Sequence, residues 1–341
     1  MRYILPSILS LSLIAAACSS KNGDASDSAS QSAPFTRLDR LVEQFPSMPA
    51  QRQHVVVDSL AIPLYDYIYL MGASTGNIPA SIDSLSHTAA FTMFGPEVEK
   101  AYPTTSDIEK RLGALNANMR RLTPSLPSYS YYGIISPYRQ QVMLVDSVVY
   151  IALNHYLGAT HDAYSTMPEY ARFTKTAEYI PLDIAEAVLS VEYPFKAESA
   201  PTAIQYFIYE GALLKAVSAL TGINDTATLM GWTPAQFDKA QTLEAEAWRK
   251  MATDNIIYST DMALAQRLCA PSPASQPLSA ELPGRFGRYV GYRIVNSFLE
   301  KNPDTALTDI LSPQFYNNPS GGYTHVRGHA TPAHRGWRGG R

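Results

Sequence analysis

The chain has little cysteine. Two are present in 341 residues, Cys18 and Cys269, so no network of disulfides can staple the fold. Stability must come from an apolar core, and a hydrophobic content of 46% is enough to build one. Cys269 then reads as a small buried hydrophobe. An excess of positive charge is also missing. The formal net charge is −3, which argues against nucleic acid as a partner. Beyond the first residues no apolar run suits a membrane-spanning helix, which needs about 20 such positions. Several catalytic signatures are absent too: HExxH, HxxEH, GxSxG, a Walker loop, and a GxGxxG opening a helix after a strand. No cofactor is implied by what remains.

What is present begins at the first residue. Arg2 supplies a positive start, Ile4 to Ile14 is mostly apolar, and Ala15, Ala16 and Ala17 lead into Cys18. Signal peptidases need small side chains beside the cut, and a cysteine directly after them marks the lipoprotein variant, its thiol taking the lipid. Ala15 stands where leucine is usual, with Ile14 one place earlier. The expectation is a signal peptide over 1–17 and lipid attachment at Cys18. Each acyl chain adds about 0.8 kcal/mol of membrane affinity per buried methylene. Ser19 to Pro34 reads SSKNGDASDSASQSAP, with no large apolar residue, so 18–34 is expected to be a flexible tether. The chain is thus expected in the cell envelope, held on a membrane through its lipid and facing an envelope protein as partner.

The body reads as one domain over 35–323, helical with polar breaks over 35–125. Leu38, Leu41 and Phe45 share a helical face, and Ile108, Leu112, Leu115 and Met119 mark a second helix from Asp107 to Leu122. Between 129 and 153 the character changes. YSYYGII, a Ser136–Pro137 turn and QQVMLVDSVVYIAL are rich in β-branched and aromatic residues, which predicts a small antiparallel sheet. Helical patterning returns from Gly158 to about 313. Thr233-Pro234-Ala235-Gln236 is a capping box with Trp232 and Phe237 placed as a hydrophobic staple, so a helix begins at 234 and runs through Trp248. The fold class is therefore α+β and predominantly helical, with the sheet packed on helices. Residues 324–341, ending RGWRGGR, lose all apolar period and read as a disordered basic tail.

Two segments concentrate the chemistry. Residues 202–222 form an almost wholly apolar helix in which Glu210 shares a stripe with Phe207, Leu214 and Val217. A carboxylate there costs several kcal/mol unless paired or protonated. In PGRFGRYVGYRIVNSFLEKN, 283–302, Gly284, Gly287 and Gly291 fall on one face and allow another element to come close. Arg285, Arg288 and Tyr292 lie beside that face, placed to hold Glu210 or an anionic ligand. An internal Glu210–arginine pair is the favoured reading, with a binding or metal-site carboxylate as the other. His155 and His161 flank a glycine turn as loop histidines, and with Asp183, Glu186 and Glu210 they make up the donors for a metal-dependent hydrolase. That set suits zinc poorly, because zinc favours histidine and cysteine. A ligand- or glycan-binding lipoprotein, using the 22 tyrosines to stack sugars, is a further alternative.

YIALNHYLG, PEYARF, YIPLDIAEAVL, IYEG, YSTD and the 283–302 segment occur in that order. Together with the lipoprotein start, they resemble the gliding-motility lipoprotein B (GldB-like) family of the Bacteroidota, over about 35–323. Asn154 stands where the family usually has aspartate, Ala212 where lysine is common, and Tyr289 and Tyr292 replace tryptophans. The resemblance implies an envelope lipoprotein of gliding or linked secretion machinery. It also implies a zincin-like, peptidase-related scaffold in which 179–191 takes the place of the zinc helix and Glu210 that of a later glutamate. Here the first of these helices offers Asp183 and Glu186 and no histidine, so the implied role is binding rather than catalysis.

Overall fold

A computed structural model describes residues 32–197 and 199–318. Cys18, the signal segment and the tail over 324–341 lie outside the described residues.

Strand β1 (Phe35–Arg37) opens the body. Six helices follow: α1 (Leu38–Gln44), α2 (Ala50–Ser59), α3 (Ala61–Leu70), α4 (Ile78–Ser86), α5 (Ala89–Ala101) and α6 (Ser106–Leu122). Strands β2 (Ser130–Ile134), β3 (Val142–Val145) and β4 (Val148–Ala152) complete the sheet. The rest is helical: α7 (Glu169–Arg172), α8 (Ile180–Glu192), α9 (Ala203–Thr221), α10 (Thr226–Met230), α11 (Pro234–Thr253), α12 (Met262–Cys269), α13 (Phe286–Lys301), α14 (Leu307–Ile310) and α15 (Pro313–Asn317). The α+β, mainly helical class is thus as the sequence implies.

The sheet departs from expectation. Its order is β1-β2-β4-β3, with β1 parallel to β2, β2 parallel to β4, and an antiparallel hairpin only between β3 and β4. It is mixed rather than antiparallel. The cause lies in the turn at Ser136–Pro137, which does not fold β2 back on its successor. The Asn154 amide pins it instead, accepting from the Ser136 N–H at 3.0 Å and donating to the Ser136 carbonyl at 2.9 Å. The chain then runs down β3 at the edge, turns at Asp146 in the left-handed region (φ 48°), and returns as β4 beside β2. Val149, Tyr150, Ile151 and Ala152 are all fully buried, the continuous apolar run of a strand covered on both faces. On one face Tyr150 donates to the Pro63 carbonyl of α3. On the other Tyr131 bonds Asn116 of α6.

Strand β1 is a second departure, since 35–125 reads as helical throughout. Three residues cannot display a period, and β1 is held by pairing with Tyr131–Gly133, far along the chain. Ala33, inside the expected tether, is already buried and donates its N–H to the Glu109 carbonyl, so ordered contacts begin before residue 35.

The helical half is organised by one crossing. Helix α9 starts from a capping box at Thr202 and Gln205 and ends on Gly222 in the left-handed conformation. It packs on α13 so closely that a Cβ at Gly291 would overlap the Phe207 carbonyl, and one at Gly211 would overlap the Gly291 backbone. At Gly287 a Cβ would press on the Phe207 ring at 2.7 Å. The predicted box at Thr233 is present and starts α11, which continues past Trp248 to Thr253.

Candidate functional site

The glycine contact decides where charge goes. Glu210 precedes Gly211 and Arg288 follows Gly287, so bringing the glycines together sets the carboxylate beside the guanidinium. Arg288 Nε lies 3.4 Å from Glu210 Oε2, and Arg288 Nη1 lies 3.0 Å from Glu186 Oε1 of α8. Burial raises the Glu210 carboxyl above the usual range, opposed by Arg288. Glu186 keeps 41% of its side-chain surface open. Burial acts on it in the same direction, but Arg288 and Arg285 outweigh it and hold the carboxylate low. The favoured pairing of Glu210 with an arginine is therefore present, through Arg288. Arg285 takes another course. It sits at φ 67° ahead of α13 and donates Nη1 to the Met230 carbonyl at 2.8 Å.

Asp183, one turn before Glu186 on α8, anchors a second group. Its Oδ2 accepts from the Tyr156 hydroxyl and from Gln141 Nε2, both at 2.7 Å. Burial pushes its carboxyl up to about 7, with Tyr156 pulling the other way. Nearby, His155 Nε2 donates to the Tyr138 carbonyl at 2.8 Å, which leaves Nδ1 to accept from Lys175 Nζ at 3.0 Å. Burial and the lysine charge lower His155 to about 4, and burial lowers Lys175 to about 8. The loop histidine His155 is thus buried, 8% exposed, with both ring nitrogens bonded. His161 is separate, bonding Glu97 at 3.1 Å.

Asp183, Glu186, Glu210, Arg288 and Arg285 thus form a charged seam where α8, α9 and α13 meet. Tyr156, Gln141 and Lys175 extend it, and the sequence pattern singles out none of these three. Lone polar residues in loops and strands carry no spacing signal, and only the fold brings them to Asp183. Among the described residues no three histidine, cysteine, aspartate or glutamate side chains converge as metal ligands. The seam does hold spare donors: Arg288 Nε and Nη2 and Arg285 Nε are buried without a hydrogen-bond partner. Buried donors seldom stay unsatisfied, so these are the points where water or a ligand oxygen fits. Chemically, the seam can hold and orient polar groups.

The family model described as gliding motility protein GldB matches residues 19–318. The chain belongs to that family. It is therefore a GldB-type envelope lipoprotein associated with gliding motility, and the match starts directly after Cys18. No curated protein and no solved structure matches the chain. Among the described residues no helix is long and apolar enough to cross a membrane.

Proposed function

We propose that this GldB-family chain is a non-catalytic lipoprotein of the outer membrane, anchored through Cys18, whose body binds a protein partner in the motility or linked secretion machinery. The observation that carries the reading is how the seam uses its charges. Glu186 and Glu210 face Arg288, and Asp183 is tied to Tyr156 and Gln141. A nucleophile or general base needs a reacting atom within hydrogen-bond reach, whereas these carboxylates are engaged with groups of the chain itself. A surface cavity of about 290 Å³ lies apart from them, lined by Glu169, Thr233, Gln236, Lys239 and Glu281.

The test has two arms. Deleting the gene is expected to impair surface motility, secretion or envelope integrity, with rescue by the wild type and not by Cys18→Ser. Intact motility, secretion and envelope in the deletion strain would sink the role. Elemental mass spectrometry of the purified mature chain addresses catalysis: one zinc per chain would overturn the non-catalytic part and leave the anchor standing.

A further inference from the structure

The side of α3 turned away from the sheet is apolar and uncovered. Ile62, Tyr65 and Tyr69 recur at spacings of three and four and are 70%, 48% and 69% exposed. Leu64, Tyr67 and Ile68 occupy the opposite side and are fully buried. The outward strip continues past the helix, where Tyr138, also exposed, rests its hydroxyl against Gly72. Charge is scarce there. Asp66 is the one charged residue from Ser59 to Asn77, and its carboxylate accepts from the Tyr150 hydroxyl at 3.3 Å. Exposed apolar patches of this kind mark contact surfaces.

The chemistry of the strip and the position of the anchor name the occupant. Tyrosine has an apolar body and a polar tip, and it gathers where hydrocarbon meets water. Cys18 lies 14 positions before Ser32, a distance that no chain stretches beyond about 50 Å. A body of this size is itself about 50 Å across. A tether of that reach lets the body turn the α3 face onto the bilayer that holds Cys18, and it keeps that bilayer at high effective concentration. We propose that the face formed by Ile62, Tyr65, Tyr69 and Tyr138 lies on the lipid headgroup layer to which Cys18 tethers the chain. This rests on the anchor reading above. It fixes the orientation of the body on the membrane.

The experiment is hydroxyl-radical labelling, read by mass spectrometry, of the full lipidated chain on phosphatidylethanolamine–phosphatidylglycerol vesicles. The unlipidated Cys18→Ser chain in solution is the reference, and Tyr258, 53% exposed on the loop between α11 and α12, is the internal control. Seating α3 in the headgroup layer should slow Tyr65 and Tyr69 by roughly fivefold or more and leave Tyr258 unchanged. Equal labelling of Tyr65 and Tyr69 in the two forms overturns the proposal. Equal slowing of all three tyrosines does so too, because it shows no preferred face. Protection already present in the unlipidated chain without lipid assigns the face to a second copy and overturns it as well. A lipidated preparation that fails to float with the vesicles removes the anchor and this proposal together, whereas absent protection on a floating chain removes the proposal alone.

Discussion

Two buried arginines in this chain are housed in opposite ways. Arg37, at the end of β1, uses its whole guanidinium: Nε and Nη2 grip Asp39, and Nη1 donates to the Tyr102 carbonyl. Arg288 lies between Glu186 and Glu210, yet its Nε and Nη2 lack a bonded partner. Both are nearly sealed, at 8% and 2% exposure. The first is complete, a clamp joining β1 and α1 to the end of α5. The second has two donors with no hydrogen-bond partner within the chain. Burial of a charge alone therefore does not tell how its donors are used within the chain, whereas an account of them does.

The comparison breaks most visibly if the glycine crossing is removed. Gly291→Ala puts a Cβ into the Phe207 carbonyl, so α13 must move off α9 and carry Arg288 with it. The expected loss is about 4 kcal/mol or more, measured by chemical denaturation. A variant as stable as the wild type would show that the crossing is not what seats Arg288. Next come the partners of the two arginines. Asp39→Ala strips Arg37 of its bonds to a carboxylate and should cost about 3–5 kcal/mol. Glu210→Ala removes a contact in which Arg288 makes no formed hydrogen bond, and it leaves Glu186 in place, so about 1–2 kcal/mol is expected. Denaturation midpoints in the reverse order would mean that Arg288, not Arg37, is the completed clamp.

A smaller effect tests the pin on the β2–β3 turn. Asn154 needs both halves of its amide, one accepting and one donating. Asn154→Asp loses the donor and sets a carboxylate against the Ser136 carbonyl, for an expected cost of about 1–3 kcal/mol. Thermal unfolding reads this directly, and a neutral result would show that the turn holds without the amide.

These contrasts also explain which features are legible in the sequence. Helix faces are, because period and caps are local: Ile108 to Met119, the Thr233 box and the buried 202–222 helix need only their own neighbours. Glu210 and Arg288 are legible as a pair because a lone carboxylate in an apolar stripe demands a cation, and Gly287 and Gly291 advertise close packing. The strand order is not, since parallel pairing joins distant segments and the Ser136–Pro137 turn mimics a hairpin. Nor is the Asp183 cluster, which gathers Gln141, Tyr156 and Lys175 from separate parts of the chain. The spare donors of Arg288 are beyond reach as well, because no pattern of residue types records an unformed bond.

Protonation sharpens the contrast last, through a slope rather than a loss. Asp183 titrates near 3.8 when exposed and is pushed up to about 7 in the folded chain, mainly by burial. Below about pH 4 both states are protonated and nothing is lost. Between about 4 and 7 the unfolded chain ionises first, so stability falls as pH rises, and above 7 the effect is flat. His155, lowered to about 4, works the other way and loses stability as pH falls from its usual 6.5. Lys175, lowered to about 8, acts only at higher pH. Measuring wild type against Asp183→Asn cancels the histidine and isolates the carboxyl. Asparagine can still accept from Tyr156 and Gln141, so the difference in unfolding free energy should decline from pH 4 to 7 and then level. A difference that stays constant across that range would show that Asp183 is ionised throughout, and the seam would then hold one more fixed negative charge facing Arg285 and Lys175.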